Sequence, residues 1–544
     1  MDMNGLAKSL AGCCLAAILC AGDSRAASDD LRILEAVKHG DRRAVQALLA
    51  EGVDVNAAQG DGTTALAWAV NRDDMAAAEL LIGAGADVNA ANDYGVTALS
   101  LACTNRNAPM IEKLLAAGAD PSVARWNGET VLMTCVRTGS IEGVKLVLAR
   151  GAEVNAKEDI EDQTALMWAA ATKNPEIVRV LIQHGADVHA RSRLISLPEP
   201  FVIKNEQIFG QNYRPTVHFP RFRGGFTPLM FAAREGDLES ARLLLEAGAR
   251  VDDATEEEGT ALVVACASGH EELATLFLEN GANPNVKDGY GVAPVHYALH
   301  DGLLTLAGAR NLPTDHLGWH RPNMPELLKS LLAHGADPNM RIEKNYPNLD
   351  YPFLARYGED HPQVDMVSVT PFMLAAASGD VGAMRVLVEG RADPRIHTVE
   401  GATPLIIAAG LGTERGRRDE ERAIEALKLV LALVPDADVN AAVGGVYGDG
   451  RTALHAAAYL GWKDMIRLLA EKGANLDAKD MYGMTPLEIA LGDPVGRLYR
   501  NLPGGRYDDR FRRPPFRVDK ETSELLVELG AAPFTGTFRD RSGE

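Results

Sequence analysis

Cysteine is scarce and poorly spaced for chemistry: the chain of 544 residues holds six, and Cys13, Cys14 and Cys20 fall within its first 20 positions. Cys103, Cys135 and Cys266 stand far apart with no CxxC pair, which argues against a disulfide framework or a zinc site. They are expected to be buried, unreactive core thiols. Aromatic residues are also few, at 6%, so the core is not built on large rings. Basic residues are outnumbered, 55 against 75 acidic, for a formal charge of −20; this balance repels phosphate backbones and argues against nucleic-acid binding. There is no P-loop, GxSxG elbow, HExxH or paired CxxC, so no catalytic residue, metal site or cofactor is expected.

Long apolar runs are absent too. The stretch Ser9 to Gly22 is too short for a good membrane span. It follows Lys8 and precedes Ser24-Arg25-Ala26, the pattern of a cleaved secretion signal, residues 1–26, ending near Ala26 or Ala27. That pattern predicts a periplasmic or secreted protein with no stable membrane span after cleavage. Leu10-Ala11-Gly12-Cys13 resembles a lipoprotein box, but almost no apolar region precedes it and the run continues past it, so lipid anchoring is not expected.

What the chain does have is small apolar residues in a repeating order; hydrophobic residues make up 46%. A tag of the type Gly-Ala-Asp-Val-Asn places Ala at 86, 119, 152 and 186, with Val53 one step earlier, at spacings of 33, 33, 33 and 34. Later copies put Ala at 249, 282, 336, 392, 437, 474 and 531, making twelve repeats, several lengthened by insertions. In each, Thr before Ala or Pro starts a helix, as in TALAWAV from Thr64, TPLMFAA from Thr227 and TPLIIAA from Thr403. Thr caps free amides, and Pro at the first helical position gives up an N–H that would be unpaired there. A short turn leads to a second amphipathic helix such as LESARLLLEAG, 238–248, ended by Gly. The tag then turns the chain out into a β-finger closed at Gly62, Gly95 or Gly128.

Over residues 28 to 535 these motifs resemble the ankyrin-repeat family, and the insertion pattern is similar to that of exported bacterial members. The resemblance implies an all-α repeat solenoid of helix-turn-helix plus β-finger repeats, about twelve, binding a protein partner through a concave face and fingertips. Two departures stand out. Ala293 replaces the capping Thr before Pro294, which predicts irregularity in repeat eight and a division of the stack into two cooperative segments there. No repeat has the full Thr-Pro-Leu-His-x-Ala tag; TALHAAA from Thr452 and APVHYAL from Ala293 come nearest.

The organisation is then repeats one to five over 28–192, a finger insertion at 193–223, repeats six to eight over 224–341 with an insertion at 302–323, a finger insertion at 342–369, and repeats nine to twelve over 370–535 with insertions at 412–420 and 492–520. Residues 536–544 are expected to form a disordered tail. The composition of 193–223 suggests an extended flap or hairpin. Asp315, His316 and His320 suit zinc by type, but their spacing in a Pro- and Gly-containing loop fits no closed site. Seven arginines within 492–520 (497, 500, 506, 510, 512, 513, 517) could hold an acidic partner or lipid headgroups, or dock on the acidic stack itself.

Fingertip aromatics are the candidate contacts: Tyr94, Trp126, Phe226, Tyr290 and Tyr482 lie beside the turn glycines, and Tyr and Trp dominate binding hot spots. The alternative is that each packs on a neighbouring finger. Trp68 and Trp168, inside first helices, read as structural. The expected function is an exported, monomeric scaffold for a protein partner. The alternatives are an inhibitor or immunity-type protein that blocks an enzyme with its fingers, or a metal-dependent enzyme using His218, His316 and His320.

Overall fold

The computed structural model describes residues 31–196, 222–307, 321–344, 364–413, 416, 418–444, 450–492 and 518–536. By its contacts the chain forms two bodies, Met1–Asp159 and Ile160–Glu544.

In the N-terminal body four helical hairpins follow one another: α1 (Arg32–His39) with α2 (Arg42–Ala50), α3 (Ala65–Asn71) with α4 (Met75–Gly83), α5 (Ala98–Thr104) with α6 (Ala108–Ala116), and α7 (Val131–Thr138) with α8 (Ile141–Ala149). The threonines act as expected. The hydroxyls of Thr64, Thr97 and Thr130 accept the N–H of Ala67, Ser100 and Met133 at 3.2–3.3 Å. Second helices are capped by acid or amide side chains instead: Asp41, Asp74 and Asn107 accept from Ala44, Ala77 and Met110. Leu66, Leu99 and Leu132 occupy one position of successive first helices and are buried; each contributes roughly 1.5–3 kcal/mol by leaving water.

Neighbouring repeats are joined by backbone as well as by apolar packing. Asp93 N–H donates to the carbonyl of Asp61, Trp126 N–H to that of Tyr94, and Asp159 N–H to that of Asn127, so each finger leans on the one before. The turn of the second finger needs Gly95, whose φ is +72° and whose absent Cβ would lie 2.8 Å from Arg125 Cα on the next finger. The tag asparagines do related work. Asn89 accepts the Asp120 N–H at 2.7 Å and donates to the Gly118 carbonyl at 3.1 Å, clasping the following repeat with both ends of its amide.

One sequence expectation is overturned here. Cys103 and Cys135 are not separate thiols: they form a disulfide between α5 and α7, with Cα atoms 4.7 Å apart. Equivalent positions lie 33 residues apart, but these two lie 32 apart. That offset of one places the sulfurs on the faces where the two first helices meet, which a search for close spacing cannot detect. Cys266 remains a buried free thiol, its pKa pushed up by burial.

The C-terminal body repeats the scheme: α9 (Ala165–Ala171) with α10 (Pro175–Gln183), α11 (Pro228–Glu235) with α12 (Leu238–Glu246), α13 (Ala261–Ser268) with α14 (Glu271–Glu279). Next come α15 (Pro294–Tyr297), an additional α16 (His300–Ala307) and α17 (Pro325–Ala333). The series closes with α18 (Pro371–Ser378) and α19 (Val381–Glu389), α20 (Pro404–Ala408) and α21 (Glu420–Leu433), α22 (Ala453–Leu460) and α23 (Lys463–Glu471), α24 (Pro486–Ala490) and α25 (Lys520–Glu528). Among the described residues three antiparallel pairs decorate it: β1 (Leu194–Ser196) with β2 (Phe222–Gly224), β3 (Ala254–Thr255) with β4 (Gly259–Thr260), and β5 (Ala442–Val443) with β6 (Arg451–Thr452). The first pair forms the base of the insertion between repeats five and six. Asn285, Asn339 and Asn440 clasp the next repeat as Asn89 does.

Repeat eight repairs its missing threonine. Nδ1 of buried His296 accepts the Ala293 N–H at 3.0 Å, and its Nε2 lies 3.1 Å from the Met340 carbonyl. His455 does the same in repeat eleven, with Thr452 N–H at 3.2 Å and the Met484 carbonyl at 3.1 Å. These partners fix the tautomer with the proton on Nε2. Burial pushes both histidines down to about 4.

Candidate binding face and fingers

Most side chains of the first helices are buried; the positions four and seven after the cap, one turn apart on one face, vary along the chain. In the N-terminal body these are Trp68 and Asn71, Leu101 and Thr104, Thr134 and Arg137. All but Thr134 are half-buried or exposed. Trp68 is thus not a core residue. Its indole N–H donates to Gln59 Oε1 at 3.2 Å, and Lys38 Nζ lies 5.2 Å from the ring centre.

Above this face stand the fingertips. Tyr94 is 59% and Trp126 71% exposed, on consecutive fingers. Beside Trp126 the nearly buried Glu129 carboxylate gathers Arg137 at 3.1 Å, Arg125 at 3.4 Å and the Thr134 hydroxyl at 2.9 Å. It holds a partly exposed guanidinium, that of Arg137, at the edge of the open face. Arg137 and Leu101 were not singled out in the sequence; their signal is their register relative to the capping threonine.

In the C-terminal body the same two positions change character along the chain. Trp168, Ala171, Arg234 and Ala267 remain half-buried, while Phe231 and Val264, at the first of the two positions in repeats six and seven, are already buried. From repeat eight to repeat eleven every one is buried: Tyr297 and His300, Leu374 and Ala377, Ile407 and Gly410, Ala456 and Tyr459. The chain's own additions pack on the middle of this stretch, while Tyr459 is covered by Met484, Ile489 and Tyr482 of the next repeat. α16, which runs into the insertion that begins at Gly302, packs on α18, with Leu303, Leu304 and Leu306 buried. Val364 and Met366, at the end of the 342–369 insertion, are buried as well, and a Cβ on Gly412 would meet both Leu306 and Val364 at 3.0 Å. The fit is close enough to require Gly302, where a Cβ would come 2.0 Å from the Leu374 carbonyl oxygen. Gly302→Ala is therefore expected to destabilise this body by about 1–3 kcal/mol, read as faster hydrogen exchange across α18.

The model for ankyrin repeats in three copies matches residues 33–125, 113–192, 206–288, 229–307 and 420–496, more than half of the sequence. This chain belongs to the ankyrin-repeat family. Similar curated proteins include the E3 ubiquitin-protein ligase KEG of Arabidopsis thaliana, 24% identical over 49% of this chain and 16% of that protein. The ankyrin repeat protein nuc-2 of Neurospora crassa is 33% identical over 23% of the chain and 13% of its own length. The human SH3 and multiple ankyrin repeat domains protein 2 is 31% identical over 29% of the chain and 9% of its own length. The chain thus spans less than a fifth of each of these proteins, and what their names state is said of them. Ankyrin repeats imply a protein partner.

The remaining fingertip candidates of this ankyrin array turn inward. Phe226 is half-buried against Phe231, ring centres 5.6 Å apart, with Arg234 over both rings. Tyr290 is buried, contrary to its expected place on the surface: the adjoining finger, in which Lys344 N–H bonds its carbonyl, covers it. Tyr482 packs against Tyr459, Met484 and Ile489. Asp315, His316, His320, His218 and the seven arginines lie outside the described residues. Among the described residues no three His, Cys, Asp or Glu are placed to hold a metal, and no helix is long and apolar enough to cross a membrane.

Proposed function

We propose that the chain is an exported protein-binding scaffold that grips its partner with the open first-helix face and fingertips of its N-terminal body. The observation that carries this reading is the pairing of exposed Tyr94 and Trp126 on consecutive fingers, above the face bearing Trp68, Leu101 and Arg137. Aromatic and arginine side chains held by their neighbours supply contact area with little entropy to lose. Export is supported by the N-terminal apolar stretch and by the Cys103–Cys135 disulfide, a bond that persists where thiols are not kept reduced.

The test compares the wild-type chain with Tyr94→Ala/Trp126→Ala and with Tyr290→Phe in quantitative affinity capture from envelope extract. The double variant is expected to lose at least thirty-fold in affinity for its captured protein, the loss that corresponds to about 2 kcal/mol for the pair together. Tyr290→Phe should retain it. Equal capture by the double variant would remove the fingertips from the interface, and capture only from cytosolic extract would refute export.

A further inference from the structure

One carboxylate organises the edge of the open face in the N-terminal body. Glu129, just before the cap of α7, is nearly buried and accepts from both sides. Nε and Nη2 of Arg137 donate to its Oε1 at 3.3 and 3.1 Å, the Thr134 hydroxyl to the same oxygen at 2.9 Å, and Nη1 of Arg125 to Oε2 at 3.4 Å. Two cations against one anion leave the cluster with a single net positive charge. The two arginines differ in exposure. Arg125 is largely covered, with its Nε closed off from solvent, whereas the Arg137 side chain is 42% exposed. Arg125 thus offsets the buried charge of Glu129, and the charge left over is carried to the surface by Arg137.

A guanidinium offers two edges to a planar oxyanion, the side edge of Nε and Nη2 and the end edge of Nη1 and Nη2. Glu129 takes the side edge of Arg137. That fixes the plane of the group and leaves the end edge, whose Nη1 makes no hydrogen bond among the described residues, to a second acceptor. A guanidinium already held at two points has little entropy left to lose on binding. The surroundings say what kind of molecule brings that acceptor. Trp126, next to Arg125, is largely exposed, and half-buried Leu101 lies on the same face one repeat earlier, so the area around the charge is aromatic and apolar. Asp159, whose carboxyl group lies against Gly128 at the same fingertip, opposes any large negative charge. One carboxylate flanked by apolar side chains matches this surface; a run of acids or of phosphates does not.

We infer that Arg137 is the specificity-determining contact of this face: its end edge receives one aspartate or glutamate carboxylate of the partner, whose apolar neighbours lie on Trp126. The inference rests on the protein-binding reading and adds the chemistry of the partner. The probe is a random peptide library displayed on phage, selected in parallel on the wild-type chain, on Arg137→Gln and on Tyr94→Ala/Trp126→Ala. Peptides selected on the wild type should be enriched in a single acidic residue beside apolar ones, and the enrichment should vanish on Arg137→Gln. A synthetic peptide from the wild-type selection should bind Arg137→Gln about tenfold more weakly, the loss expected for one charge-assisted pair. Its counterpart with an amide in place of the acid should bind both proteins alike. Arg137→Lys, which keeps the charge without the fork, should restore only part of the loss; full restoration would overturn the two-bond contact. Peptides that need Tyr94 and Trp126 but bind Arg137→Gln as tightly as wild type would overturn the carboxylate site and leave the face standing. Peptides indifferent to every variant, or no selected peptide at all, would overturn both.

Discussion

Replacing Cys103 and Cys135 by alanine will lower the stability of the N-terminal body by about 3–4 kcal/mol. The bond closes a loop across a sequence separation of 32, and the chain-entropy model assigns about 3.7 kcal/mol to a loop of that size. The loss should be local. Each ankyrin repeat is coupled to its neighbours, so helices α5 to α8 should show the largest rise in hydrogen exchange. Reductant should reproduce the effect slowly, because both sulfurs belong to fully buried residues. The direct check is mass spectrometry after alkylation under denaturing conditions without reductant. Of Cys103, Cys135 and Cys266, Cys266 alone is expected to be modified; modification of all three would show that the bond is absent and would remove one support from the proposed export.

Acidification will weaken the C-terminal body, by a net of about 3 kcal/mol between pH 6.5 and 4. His296 and His455 are pushed down to about 4 from 6.5 by burial, with nearby Lys287 and Arg451 adding to the shift. Above pH 6.5 each is neutral in both states and its contribution is complete. Below that, the unfolded chain takes up a proton that the folded chain refuses, so stability falls until pH passes about 4. At about 1.4 kcal/mol per unit this removes about 3 kcal/mol for each histidine. Asp288 runs the other way. Burial raises it to about 6 from 3.8, although the Tyr297 hydroxyl donates to it at 2.5 Å. Its contribution is complete below 3.8 and lost as pH rises through 6, so acid returns about 3 kcal/mol. His455→Gln, which keeps an acceptor and a donor, should flatten the pH dependence of urea unfolding by about 3 kcal/mol. An unchanged slope would mean that the ring titrates normally.

The repeating part of this fold was legible because its signals are local. Thr64, Thr227 and Thr403 announce their helices through capping chemistry that needs no tertiary context, and the 33-residue spacing announces the stack. The Asp and Asn caps of the second helices are equally local signals, each standing three residues before the amide it accepts. What stayed hidden depends on contacts between repeats. The Cys103–Cys135 bond follows from an offset of one residue against the period, visible only once neighbouring helices are laid side by side. The site was legible by halves. Tyr94 and Trp126 are on the surface as their place beside turn glycines suggests, whereas Tyr290 shares that place and is buried. The difference lies in what stands next to each finger, and for Tyr290 that neighbour is set by a distant insertion. Closure of the first-helix face around repeat nine likewise involves α16 and Val364, segments in which sequence shows only a departure from the period.

The asparagine clasp has a mechanical consequence. Each joint between two repeats that carries one is held by short polar bonds as well as by greasy contact, and short bonds tolerate little stretch before they break. A body built this way is stiff to small loads and brittle at its seams: drawn from one end, it surrenders a single hairpin, lengthens by about 110 Å for 33 freed residues, and meets the next seam still whole.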